Sequence, residues 1–158
     1  MQDPRGDALE LDRQVCFALA VASRSVIGIY RPILEPLGLT HPQYLVMLAL
    51  WGDAPLRFGE ISERLRLDPA TLSPIIKRLE ASGLVERRPV AGDERTFAIA
   101  PTDAGRALRE RALEVPPAVI ERLGLPVERL LALRDELAAI IAAIERVPQS
   151  PTDAADPA

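Results

Sequence analysis

Apolar residues recur along this chain at helical spacing, and each recurrence breaks at proline or glycine. Val15, Leu19, Ala22, Val26, Ile29 and Ile33 advance in alternating steps of four and three, the period of one apolar helix stripe. The spacing predicts a long helix over about residues 9–34, ended by Pro36 and Gly38. Two starts fit it: an N-cap at Asp12 places Cys16 near the first turn, whereas a start near Asp7 places it too deep for the helix dipole to matter. Thr40 and Gln43 have capping-box spacing. Residues 44–51 behind them are apolar almost all round, which predicts a central core helix. A short helix follows over Phe58–Leu65, then a tight turn at Arg66-Leu67.

Asp68 is an N-cap and Pro69 occupies a first helical position, where its missing N–H is harmless. The helix they open ends at Gly83, with Leu72, Ile75, Ile76 and Leu79 on one face and Thr71, Ser73, Pro74, Lys77 and Arg78 on the other. Residues 84–88 and 96–100 are strand candidates, and Ala91-Gly92-Asp93-Glu94 between them makes a hairpin. Pro101-Thr102 cap a further helix that breaks at Pro116-Pro117. In the last helix Leu130, Leu133, Leu137, Ile140, Ile144 and Val147 step by three and four, the seam of a helix that packs along another.

The predicted fold is mainly α with a small β wing. A winged helix-turn-helix spans residues 40–101, with dimerisation helices over 9–35 and 102–147, a flexible N-terminus at 1–8 and a disordered tail at 148–158. Helix, turn, helix and hairpin in this order place the helix from Pro69 in a DNA major groove, with the hairpin reaching an adjacent minor groove. Thr71 and Ser73 offer short hydroxyls to base edges or phosphates. Ala70 and the Thr71 methyl suit a thymine methyl, Pro69 and Pro74 count among the same candidate DNA-binding residues, Lys77 and Arg78 suit phosphates, and Arg95 at the hairpin tip suits a narrow groove. A winged helix used for protein contacts is the competing reading.

Composition adjusts this picture only in part. The chain has 158 residues, 48% hydrophobic, and a net charge of −4. An acidic whole argues against nucleic acid, but between Arg57 and Arg95 there are 8 basic and 7 acidic residues, so the acidity lies elsewhere. One cysteine excludes an internal disulfide, and with His41 as the one histidine no zinc or histidine-cluster site is expected. No cofactor is expected either. No uninterrupted apolar run reaches membrane-spanning length and no signal-peptide pattern opens the chain, so the expected location is cytoplasmic, without a membrane partner.

The stretch GDERTFAIAPTDAG resembles the wing signature D-x-R-x-x-x-I-x-L-T-x-x-G of the MarR transcriptional regulators, with Ala100 where leucine is usual. That resemblance implies an obligate homodimer on a pseudo-palindromic double-stranded operator, with Asp93 orienting Arg95. LDRQVCFAL, THPQYLVMLALW, LDPATLSPIIKRLE and GDERT further resemble the organic hydroperoxide resistance regulators, one-cysteine type. By that resemblance Cys16 is the peroxide-reactive sensor, and Tyr30 supplies a hydroxyl to it from the other subunit. A second tyrosine of the subgroup, four residues after the cysteine, is Ala20 here.

On residue type alone a lone helical cysteine is a small buried hydrophobe; a sensor needs thiolate character. Tyr30 follows Cys16 by 14 residues, about 21 Å along a helix, so the two meet only across antiparallel copies. Packing of Tyr30 on Pro36 or Leu37 is the plainer alternative. Phe17, Tyr44, Met47 and Trp51 line an apolar cleft near Cys16 in this reading, and plain core packing is the alternative for each. The function expected is a repressor, not an enzyme, released when an organic hydroperoxide oxidises Cys16 and a small thiol caps the product. A repressor gated by a small aromatic ligand, with Cys16 structural, is the alternative; a thiol peroxidase is a second, disfavoured because no Thr, Arg or His companion to Cys16 is evident nearby.

Overall fold

The structure, a computed structural model, describes residues 10–147, apart from the side chains of Asp12, Glu94 and Arg95. The two predicted flexible ends, 1–8 and 148–158, lie outside the described residues. The order of elements is α1 (Val15–Leu34), α2 (His41–Asp53), β1 (Leu56–Arg57), α3 (Phe58–Leu65), α4 (Pro69–Ala81), β2 (Val85–Val90), β3 (Asp93–Pro101), α5 (Asp103–Ala112), α6 (Val115–Leu123) and α7 (Val127–Glu145). These divide into two compact units that meet within α6, one up to Val119 and one from Ile120.

The first unit is built around α2. Its start is fixed by reciprocal caps: the Thr40 N–H donates to Gln43 Oε1 at 2.8 Å and the Gln43 N–H to Thr40 Oγ1 at 3.5 Å. The first of these gives the side-chain oxygen of the buried Gln43 a partner. Tyr44, Val46, Met47 and Leu50 are buried behind it, and α2 packs against α1, α3, α4, α5 and β3. Ile61 of α3 and Leu72, Ile75, Ile76 and Leu79 of α4 close the same core. Arg66, at φ 50, makes the left-handed turn between α3 and α4.

The hairpin is longer than the sequence suggests. β2 and β3 pair from Val85↔Pro101 to Val90↔Asp93, with a bulge at Pro89/Val90, so Asp93 and Glu94 lie in a strand rather than in the turn. A third strand, β1, pairs antiparallel with β3 through Leu56↔Ile99 and gives the order β1-β3-β2. Thr102 joins three elements at the wing base. Its hydroxyl donates to the Gly83 carbonyl at 2.6 Å and accepts the Gly105 N–H at 3.1 Å, while its own N–H donates to Leu84 O at 3.0 Å. The break after α5 falls at Leu113 and Glu114, not at Pro116-Pro117. Those prolines occupy the first turn of α6, where a missing N–H has no helical partner to lose.

Apolar surface on α1 is left uncovered. Leu34 is its one fully buried residue, and Val15, Leu19, Val21 and Ile27 are exposed. By length and composition alone, residues 15–37 would span a bilayer; Arg24 and Arg31 within the stretch weigh against it. In the second unit no residue of α7 is buried, and Leu133, Ile140, Ile144 and Val147 of its predicted seam are exposed. Contiguous apolar helix faces of this kind mark surfaces that another chain covers.

Candidate DNA-reading face and cysteine site

The N-terminus of α4 is built by Asp68. One carboxylate oxygen accepts the Thr71 N–H at 2.9 Å and the other accepts the Thr71 hydroxyl at 2.7 Å. These bonds hold the Asp68 carboxyl below its ordinary value, the hydroxyl bond contributing most. Thr71 therefore arrives at the helix tip with its hydroxyl proton committed, leaving lone pairs free to accept from a base amino group. Pro69, Ala70, Thr71, Pro74, Lys77 and Arg78 are exposed and Ser73 half-buried, so the whole predicted reading face is open. Pro74 lies inside α4. Because proline has no N–H, the Ala70 carbonyl lacks its usual helical donor and remains an acceptor near the same tip.

The wing stands beside this face. Glu80, in the last turn of α4, accepts from Arg87 of β2 through two contacts, Nε at 2.7 Å and an Nη at 3.4 Å. That bidentate pair links helix to wing and raises the Arg87 pKa further. At the tip, the Asp93 carboxylate accepts from the Thr96 hydroxyl at 2.5 Å. The Arg95 side chain, which the resemblance assigns to Asp93, lies outside the described residues.

Cys16 is the second residue of α1. A 3-10 turn over Leu11–Arg13 precedes it, and Gln14 is the N-cap. Neither expected start is observed: Asp12 lies in the 3-10 turn, and the helix begins two residues after Arg13. Cys16 is nevertheless in the first turn of α1. It is exposed in the single chain, and Phe17 beside it is half-buried.

Tyr30 belongs to an aromatic cluster with α2. Its ring meets His41 edge-on at 4.9 Å between centroids and Tyr44 at 6.0 Å, and Tyr44 meets Trp51 at 6.5 Å. Burial raises the Tyr30 pKa and lowers that of His41. Tyr44 is raised by burial first and by Tyr30 second. Trp51 Nε1 donates to Gly105 O at 2.9 Å. The expected cleft of Phe17, Tyr44, Met47 and Trp51 around Cys16 is thus not assembled within one chain. Tyr44 and Trp51 gather at the Tyr30 end of α1, Met47 is fully buried in the core, and Cys16 and Phe17 sit at the other end. His41 is the residue that sequence reasoning missed here. The signal was its place inside the capping box, which fixes it on the first turn of α2.

The MarR family pattern matches residues 39–97. The organic hydroperoxide resistance transcriptional regulator of Bacillus subtilis is 39% identical over 114 residues, which cover 72% of this chain and 78% of that protein. The transcriptional regulator TtmR of Methylorubrum extorquens is 42% identical over 139 residues, covering 88% of this chain and 71% of that one. The solved structure of reduced AbfR, a Staphylococcus epidermidis protein, bound to DNA has a TM-score of 0.71 and 32% identity, covering 90% of this chain and 99% of AbfR. With its winged helix-turn-helix in place and these relatives matching on both sides of it, the chain belongs to the MarR family of DNA-binding transcriptional regulators.

Proposed function

We propose that the protein is a homodimeric, peroxide-sensing repressor acting on operator DNA in the cytoplasm. The observation that carries this reading is the place of Cys16: two residues into α1, exposed, on a helix whose apolar residues lack cover in the single chain. The name of the Bacillus relative and the reduced state of the AbfR–DNA structure support the same chemistry. Two copies of α1 packed antiparallel cover each other's stripe and bring Tyr30 of one protomer to Cys16 of its partner, a meeting that about 21 Å of helix forbids within one chain.

The Cys16 thiolate attacks one oxygen of an organic hydroperoxide. The O–O bond breaks, the alkoxide leaves and takes a proton as an alcohol, and sulfur keeps the other oxygen as sulfenic acid. A small thiol then condenses with it, forming a disulfide and releasing water. The adduct grows at the protomer interface and favours a dimer whose two α4 helices no longer match the half-sites. Moving operator occupancy from nearly full to nearly empty requires a preference of roughly 5.5 kcal/mol between the two forms.

The test is operator binding before and after one equivalent of cumene hydroperoxide with glutathione, followed by intact mass. The wild type is expected to release DNA as the adduct mass appears, and Cys16→Ser to stay bound. Release of Cys16→Ser by the same treatment contradicts the proposal; its release by a small aromatic acid alone moves the function to ligand gating.

A further inference from the structure

The wing turns one of its two faces toward α4. Arg87 of β2 bonds Glu80 of α4. Ile99, which pairs with Arg87 across the ladder, is buried in the core with Leu56 and Val85 of the same face. Paired residues share a face, and alternate residues along a strand return to it. Two residues nearer the hairpin tip, that face presents Pro89 and Phe97, opposite one another. Both are exposed. Phe97, at 49%, is the one exposed aromatic residue among those described.

This apolar pair stands where two DNA grooves are divided. With α4 in a major groove and the wing in the adjacent minor groove, one sugar–phosphate strand runs between helix and wing. The Glu80–Arg87 pair closes the base of that gap. The next step outward on the same face, about 7 Å along the strands, is Pro89 and Phe97. They face the strand with two rings and no side-chain donor. Phosphate oxygens gain nothing from such a surface, whereas the C–H edge of a deoxyribose gains cover from water and close packing.

We propose that Phe97, with Pro89 beside it, packs on the deoxyribose edge of the strand that separates the two grooves. The contact is apolar and independent of base sequence. It rests on the reading of α4 and the wing as the DNA interface, with which the Phe97 face is continuous. Because burying C–H surface releases no counterion, this part of the affinity does not depend on salt.

Affinity for a mixed-sequence duplex is measured against salt for wild type, Phe97→Gln and Phe97→Leu, a polar and an apolar side chain of similar bulk. Phe97→Gln is expected to bind about tenfold more weakly at each salt concentration, since half a ring loses its cover. Its slope of log K against log salt and its thermal midpoint stay those of the wild type. Phe97→Leu keeps its affinity within about threefold. A second readout does not depend on the polar variant. The chain has three phenylalanines, so labelling with 4-fluorophenylalanine gives three fluorine signals, and that of Phe97 is the one missing in Phe97→Leu. Its solvent isotope shift between ordinary and heavy water is expected to fall by more than half when duplex is added. Wild-type affinity in Phe97→Gln, an equal loss in Phe97→Leu, a changed salt slope in Phe97→Gln or an isotope shift indifferent to DNA overturns the proposal. So does a ring already shielded without DNA, which is a protein contact. Lys77→Gln combined with Arg78→Gln tests the underlying reading separately, with a slope expected to be shallower by about 2. An unchanged slope there overturns the placement of α4 and the proposal with it, a failure that none of the Phe97 outcomes produces.

Discussion

Replacing Gly105 with alanine sets two effects of opposite sign against each other. Glycine inside a helix is worth roughly 1 kcal/mol less than alanine, so propensity alone predicts a stabilised α5. The surroundings predict the reverse. A Cβ built on Gly105 falls 2.0 Å from the Leu84 carbonyl oxygen and 3.1 Å from the Pro101 Cβ. The obstacle is backbone, so it cannot swing aside as a side-chain tip would. To relieve the contact α5 must retreat by more than an ångström from the strand end, at the point where two hydrogen bonds converge. These are Thr102 N–H to Leu84 O at 3.0 Å and Trp51 Nε1 to Gly105 O at 2.9 Å. Weakening both costs about 1 kcal/mol each, and overpacking adds about 1–3 kcal/mol. After the propensity gain, Gly105→Ala is expected to lose about 2–4 kcal/mol. Urea unfolding of wild type and variant, monitored by circular dichroism at one protein concentration, measures it. A neutral or stabilising substitution would refute the close-approach argument and the register of α5 against the wing base.

At the DNA face, Arg95→Ala is expected to weaken operator binding and to make the slope of log K against log salt shallower by about 1, as for one lost phosphate contact; an unchanged slope removes Arg95 from the interface. Thr71→Val keeps the methyl and removes the oxygen, so it is expected to lose affinity for the operator more than for random DNA in competition binding, and an equal loss on both denies it a base contact. Burial lowers the His41 pKa, so below about pH 6.5 the unfolded chain takes up its proton first and stability falls with pH. The His41→Gln variant is expected to show a flatter decline in urea midpoint between about pH 7 and the lowered value; an identical pH profile denies the effect of burial.

What could be read from the chain in advance was whatever is decided within a few residues. Thr40, Asp68 and Thr102 each cap a helix as their spacing predicts, because a cap needs only its own next three residues. The face of α4 was equally legible, since a stripe of four apolar positions buries one way only. β1 escaped notice because two residues have no periodicity, and its pairing partner, Ile99, is more than forty positions away. The start of α1 was missed because Gln14 makes no side-chain cap, leaving no residue-type signal there. The edge-on contact of Tyr30 with His41 depends on how α1 meets α2, which no local pattern encodes. Cys16 was legible only as a lone thiol near a helix start; in the proposed dimer, what faces it comes from a second copy.

That second copy is the central claim, and one thiol introduced at Tyr30 tests it directly. Because the chain has a single cysteine, a Tyr30→Cys variant holds two thiols, too far apart on α1 to join within one chain. Mild oxidation is expected to give a covalent dimer on a non-reducing gel, with peptide mapping showing residue 16 of one protomer joined to residue 30 of its partner. Cys16→Ser in the same background should abolish that link. A variant that stays monomeric on the gel, or that cross-links equally well without Cys16, contradicts the antiparallel pairing on which the peroxide-sensing account stands.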